Sequence, residues 1–467
     1  MNAELLSRLQ FALTASFHFI YPPLSMGLGL MLVVIGIIYV RTKDPKWRRL
    51  SFFWVKVYGL IFAIGVATGV VMEFEFGTNW ANYSRFVGNI FGSLLAAEGV
   101  FAFFLEGGFL GLMLFGGNRL GPRMWLGATF MVVFGAHFSA LWIIMANSWM
   151  QTPAGYTVQT LPAPARAYMT SFLEVVFTPS FIQRLLHTWG ASWTVGSALL
   201  LSVSAWYMLR KREVELAQAN FKVALPFFVV FSMVNVVFFG AEQAVGVTNY
   251  QPVKLASLEG LWESQSCAPI YLFGWVDEAA QTTTGLKIPC VLSFLAYRDF
   301  NATVTGLDAF PPAEYPPINL VFQAYHVMIN LGMFYILVGL LGAGLFFWKR
   351  KIFELRWALW LFVITVFLTL VSTIAGWWTA EVGRQPWIVY RLLPTTLAVS
   401  PTLTTTDVAI SMVMFLVLYT SLLVVFLFLL NHKIQDGPDP LSEVETTPVS
   451  SLPDTFRDIF RRRGARA

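Results

Sequence analysis

The sequence is divided into apolar runs long enough to cross a bilayer, and that leaves few folds open. Hydrocarbon offers no water to backbone N–H and C=O groups, so a run of about 20 apolar residues crosses it as a helix. Candidate spans lie at 12–40, 52–74, 92–116, 124–148, 181–209, 220–242, 319–347, 357–380 and 406–431. The expected fold is therefore an all-α integral membrane bundle of about nine transmembrane helices, in contact with lipid on its outside. Composition agrees, with 57% of residues hydrophobic and 12% charged, against roughly half and a quarter in soluble domains. The N-terminus, MNAELLSRLQ, has no charged stretch followed by a small-residue cleavage site, so no removable signal peptide is expected. The net charge of +5 sits mostly in short loops between spans and gives no sign of nucleic-acid binding.

Basic clusters set the orientation. RTKDPKWRR (41–49), LRKRE (209–213), KRKIFELR (349–356) and the Arg-rich end of the tail fall on one side. The positive-inside rule then predicts the N-terminus outside and the C-terminus inside. Residues 1–242 carry six spans, 319–431 three more, and 432–467 form a cytoplasmic tail. The last stretch, FRDIFRRRGARA, either lies on an anionic inner leaflet or serves only as a topology signal. Between the two groups of spans, 243–318 form one long extracytoplasmic loop with only short apolar pieces such as VLSFLAY. A loop of that length in a compact bundle is functional or disordered. Both cysteines, Cys267 and Cys290, lie in it. A disulfide persists outside the cytoplasm, so a loop staple is the favoured reading and two unrelated thiols the alternative.

Of five histidines, His432 lies in the tail, leaving His18, His137, His187 and His326 in or near the membrane. A haem–copper oxidase core needs six histidine ligands, so that class is excluded. His18 precedes Pro22, which removes the amide that would bond the carbonyl of residue 18, so a kink is expected there. The kink opens room for a planar group, or His18 simply bonds a neighbouring carbonyl. His187 starts the fifth span. His326 and Met328 are two apart, about 200° around a helix, and do not both face one iron. A His/Met pair from two helices is an axial set for a low-spin haem, whereas Met328 alone reads as core packing.

Glu98 and Glu106 share one span, about 12 Å apart along the axis. They suit steps in a proton path, with Ser139 as a hydroxyl relay. The plainer readings are an acid paired with Arg and a serine bonding its own backbone. The segment GWWTAEVGRQPW (376–387) ends an apolar run on Glu381 and continues into Arg384. A carboxylate at the lip of a span faces a proton, a metal or a cation. The Arg beside it is a clamp for an anionic group such as a haem propionate.

Five segments, in order, resemble subunit I of the cytochrome bd-type quinol oxidases: EFEFGTNW (73–80), AAEGVFAFFLEGG (96–108), SALWIIMANSWMQ (139–151), KLASLEGLWE (254–263) and GRQPW (383–387). The similarity runs from about residue 5 to 430. It implies a copper-free enzyme of the bacterial cytoplasmic membrane. Such an enzyme oxidises quinol at the outer face and reduces dioxygen to water with cytoplasmic protons, generating a proton motive force without a pump. The resemblance implies a low-spin haem b, a high-spin haem b and a haem d. It assigns His187 and Met328 to the low-spin iron, and His18 and Glu381 to the other two, in either order. Glu98 stands beside that pair, Arg384 and Arg8 hold propionates, and Glu106 and Ser139 belong to the proton path. Lys254 and Glu259 match the quinol-loop pair. The implied partners are a second membrane subunit and a small single-span subunit. Two positions depart from the family: His326 stands where Arg is common, and His137 where Asn is common. The rivals are a proton-coupled secondary transporter, for which no convincing internal repeat is found, and a haem-anchoring subunit that never touches oxygen.

Overall fold

The computed structural model describes residues 2–117, 119–161, 164–348 and 350–440, so the Arg-rich end of the tail lies outside the described residues. Among the described residues, nine helices are long and apolar enough to cross a membrane: Ala3–Thr42, Pro45–Thr78, Ala81–Phe115, Pro122–Gln151, Phe181–Leu209, Val214–Tyr250, Ile318–Phe347, Arg356–Val382 and Thr405–Asp436. These are spans 1 to 9 below. Span 5 coincides with its run, span 3 ends at Phe115, one residue short of its run, and the others contain theirs; all but span 5 gain end residues that hydropathy does not detect. Span 2, for example, begins at Pro45 behind an Asp44 side chain that accepts from Lys46 N–H. Span 9 opens on a capping box between Thr404 and Asp407.

Span 1 breaks where its prolines require it. A helix ends at His18 and a second begins at Tyr21, so His18 sits at a helix end rather than inside a regular ladder. Spans 1 and 5 cross in close contact where Gly27 meets Gly196; a Cβ on either would overlap the other's backbone. Two spans also carry a widened π turn, at Glu98–Phe103 in span 3 and Asn235–Gly240 in span 6.

Span 6 corrects one expectation. It continues to Tyr250 instead of ending at 242, because its polar last turns pack against a short helix of the loop, Val291–Tyr297. Pro252 ends it by holding Gln251 out of helical geometry, at φ −139° and ψ 61°. The loop itself is ordered. It contains the helix Pro252–Leu258 and an antiparallel hairpin, Ile270–Asp277 with Thr282–Ile288. Span 7 holds that hairpin through Gln323 Nε2 donating to Gly274 O at 2.9 Å and Asn330 Nδ2 donating to Leu272 O at 2.7 Å. Cys267 and Cys290 are joined as a disulfide.

The main apolar core fills the half of the bundle away from this loop, with Leu28, Tyr58, Leu200, Phe221, Tyr335 and Phe362 among its members. A second apolar core, with Trp80, Phe91, Trp149 and Val389, lies beside the end of span 8 that carries Glu381.

Candidate functional site

Glu381 stands on the last turn of span 8 and is the centre of a buried polar cluster. Its Oε2 meets Arg384 Nη2 at 2.5 Å. Its Oε1 accepts from Asn147 Nδ2 at 2.9 Å and Gln151 Nε2 at 3.3 Å. A carboxylate offers about four lone-pair sites, so one remains. Asn147 and Gln151 lie four apart on span 4 and therefore present their amides from one face. The Asn147 oxygen accepts from Arg184, which stands one turn before His187 on span 5. Lys254 reaches in from the loop and donates to Gln151 Oε1 at 2.8 Å and Ala380 O at 3.0 Å.

Three basic side chains thus surround a single carboxylate, all nearly removed from solvent: Arg184, Lys254 and Arg384. Two of their N–H groups, Arg184 Nε and Arg384 Nη1, are buried without a partner among the described residues. Buried guanidinium donors left unpaired are costly. The cluster is therefore short of negative charge, and that chemistry fits the carboxylates of a haem. Arg8 is not part of it: among the described residues no hydrogen bond or ion pair joins Arg8 to Glu381 or Arg384.

The helices that carry His18 and Glu381 meet near these residues. Trp378, three residues before Glu381, donates to Ser16 Oγ at 2.8 Å, two residues before His18. The His18 Nδ1 lies 3.0 Å from Thr68 Oγ1, and Gly69 makes room for the ring, since a Cβ there would come within 3.1 Å of it. With Nδ1 held by Thr68, Nε2 is the free ligand atom. His187 lies against the π turn of span 6, and its Nδ1 is buried without a hydrogen-bond partner. Met328 faces span 8, where a Cβ on Gly376 would lie 2.8 Å from its Sδ.

The two departures separate. His137 is satisfied at both nitrogens: Nδ1 meets Val133 O at 2.8 Å, and Nε2 meets Trp193 Nε1 at 2.9 Å. His326 bonds the Phe322 carbonyl at 2.8 Å and stacks on the Phe322 ring, with Nε2 buried and unpartnered.

On the proton-path candidates, Ser139 Oγ donates to Glu98 Oε1 at 2.7 Å, at the start of the π turn. Ser139 therefore belongs with Glu98 rather than with Glu106. Glu106 is buried further along, against Gly135 of span 4 and facing Tyr58 of span 2.

In the loop, Lys254 and Glu259 serve different neighbours. Burial, with Arg184 and Arg384 nearby, pushes the Lys254 ammonium well below its ordinary range, against the pull of Glu381. Burial raises the Glu259 carboxyl to about 8, opposed by the Tyr325 hydroxyl. Its Oε2 has no partner.

Sequence reasoning missed Arg184, Asn147 and Gln151. Arg184 was readable as a charge inside a span, one turn from a candidate ligand. The two amides had only their fourfold spacing to give them away.

Comparison with known proteins gives one consistent result. Residues 6–438 match the family described as cytochrome bd terminal oxidase subunit I. The chain is 34% identical to the cytochrome bd-II ubiquinol oxidase subunit 1 of Escherichia coli K12, covering 95% of this chain and 98% of that one. It is also 34% identical to the cytochrome bd ubiquinol oxidase subunit 1 of Bacillus subtilis 168, covering 97% and 98%. The solved bd oxidase of Geobacillus thermodenitrificans superposes with a TM-score of 0.87 at 28% identity, covering 94% of this chain and 99% of that one.

Proposed function

The chain belongs to the cytochrome bd terminal oxidase subunit I family, a family of haem-containing membrane oxidases, and from that premise we propose which reaction its residues serve and how. It oxidises membrane quinol at the loop face and reduces dioxygen to water with protons drawn from the opposite face. Haem supplies the one-electron and oxygen chemistry that no side chain here offers. His187 and Met328 hold a low-spin haem b, and His18 and Glu381 hold the high-spin haem b and haem d. Arg184 and Arg384 take propionates. The observation that carries this reading is the charge imbalance around Glu381: buried Arg184 and Arg384 retain unpartnered N–H donors where an anionic group is needed.

Quinol approaches from the membrane side of the loop. In support, Phe273, Trp275 and Leu286 are exposed on the hairpin, an apolar surface suited to a lipophilic substrate. Glu259, whose buried carboxyl is raised to about 8 and keeps a free oxygen among the described residues, accepts a quinol proton in its ionised form and passes it outward. Glu106 and the Ser139–Glu98 pair bring protons from the cytoplasmic side. Release on one side and uptake on the other generate a proton motive force without a pump. The enzyme works in the bacterial cytoplasmic membrane, N-terminus outside, with a second membrane subunit and a small single-span one. The outward side of span 3 supports a close helix partner, since among the described residues nothing lies within 4 Å of a Cβ added at Gly88, Gly92, Gly107 or Gly111.

A reduced-minus-oxidised optical spectrum of the purified oxidase tests the reading. A low-spin haem b band with a chlorin band in the red, and oxygen uptake driven by quinol, are expected. A colourless protein would favour the transporter reading instead, and a single low-spin haem the anchoring one.

A further inference from the structure

Gln151 makes more hydrogen bonds to distant segments than its place at the end of span 4 requires. Its side chain joins three groups: Lys254 Nζ at 2.8 Å, Ala380 O at 3.2 Å and Glu381 Oε1 at 3.3 Å. Its own carbonyl accepts from Gln251 Nε2 at 3.0 Å. Gln151 is 1% exposed. The orientation of its amide follows from its partners. The Ala380 carbonyl only accepts, so Nε2 must face it and Oε1 is left toward the donating Lys254 Nζ. Nε2 is then the end that faces two acceptors, Ala380 O and the Glu381 carboxylate.

Lys254 has little freedom to do anything else. It is 4% exposed, and its second donor is spent on Ala380 O, the residue before Glu381. Its stem lies across Gly383, where a Cβ would come 3.0 Å from Lys254 Cε. The loop helix Pro252–Leu258 is therefore fastened to the end of span 8 through this lysine and this glutamine.

We propose that Gln151 is a positioning residue that couples the outer loop to the Glu381 carboxylate, and that Lys254 acts through Gln151 instead of touching quinol. The loop helix sets Lys254, Lys254 sets the rotamer of the Gln151 amide, and Gln151 fixes the lone pairs Glu381 presents. Movement of the loop on substrate binding reaches Glu381 by this route. The inference rests on the assignment of Glu381 as a haem ligand made above.

The test uses the complete oxidase with Gln151→Leu, Lys254→Met, the double variant and Glu381→Ala. Two readouts are followed: loss of high-spin haem to excess apomyoglobin, and kcat and KM for a soluble quinol. Partners that orient a metal-ligating group change metal retention by about 10- to 100-fold. Gln151→Leu and Lys254→Met should each speed high-spin haem loss about tenfold, and the double variant should be no worse than the worse single one. In both, kcat should fall with KM unchanged. Retention of the low-spin haem shows that the bundle has assembled. A Lys254→Met enzyme with raised KM and normal haem retention would overturn the proposal, because Lys254 would then contact quinol directly. Normal haem retention in Gln151→Leu would overturn it as well. Unaltered high-spin haem in Glu381→Ala is the separate outcome that removes the ligand assignment, and this inference with it.

Discussion

The Trp193 indole N–H donates to His137 Nε2 at 2.9 Å, which ties span 5 to span 4 and uses up the ligand atom of that histidine. Since Nδ1 donates to Val133 O at 2.8 Å, the ring is held as the neutral tautomer with no position left for iron. His137→Phe should therefore leave the haem spectrum unchanged. It strands the Trp193 N–H and should cost about 1 kcal/mol, seen as a lower unfolding temperature. A lost haem band in this variant would make His137 a ligand after all.

Met328 depends on the absence of a side chain opposite it. Met328→Leu should convert the low-spin haem to high-spin in the optical spectrum. Gly376→Ala places a methyl group 2.8 Å from the Sδ, too close for an undisturbed sulfur, and should shift the same band by displacing it. If the low-spin band survives Met328→Leu, the unpartnered Nε2 of His326 is the next atom to test.

The spans, the break before Pro22 and the buried polar side chains were legible because each leaves a local mark: length, a missing amide, or a costly polar side chain in an apolar run. Partnerships across the bundle leave no such mark. Lys254 meets Gln151 across 103 positions of sequence and Ser139 meets Glu98 across 41, separations that no periodicity encodes. The role of His137 was equally hidden, because its indole partner lies on another span. Span 6 passed its expected end for a related reason. Its last turns, AEQAVGVTNY, are too polar to register as membrane helix, and they are held by packing and stopped by Pro252.

Glu106 and Glu98 have different neighbours. Glu98 bonds Ser139, while Glu106 is enclosed by Gly135 and Tyr58. Glu106→Gln keeps the shape and removes the exchangeable proton, so it should slow oxygen reduction more than reduction of the haems by quinol. Stopped-flow measurement of the two half-reactions separates them, and equal slowing would remove Glu106 from the proton path.

Glu259 gives the enzyme a pH dependence whose sign can be worked out. Its carboxyl is raised from 4.5 to about 8 by burial, so at pH 7 the folded protein holds a proton that the unfolded chain has released. This contribution to stability is fully present below about pH 4.5 and is lost progressively as pH rises through about 8, beyond which both states are ionised. Glu259→Gln stays neutral throughout. The unfolding temperature of the natural enzyme relative to this variant should therefore decline from pH 5 to pH 8 and level off above. Activity should move the other way, because only the ionised carboxylate takes a proton from quinol. The quinol-oxidation half-reaction should climb as pH passes about 8 in the natural enzyme, while the Gln variant, slow throughout, lacks the climb. Two parallel activity profiles would show that Glu259 is buried for structure and that the quinol proton leaves by another group.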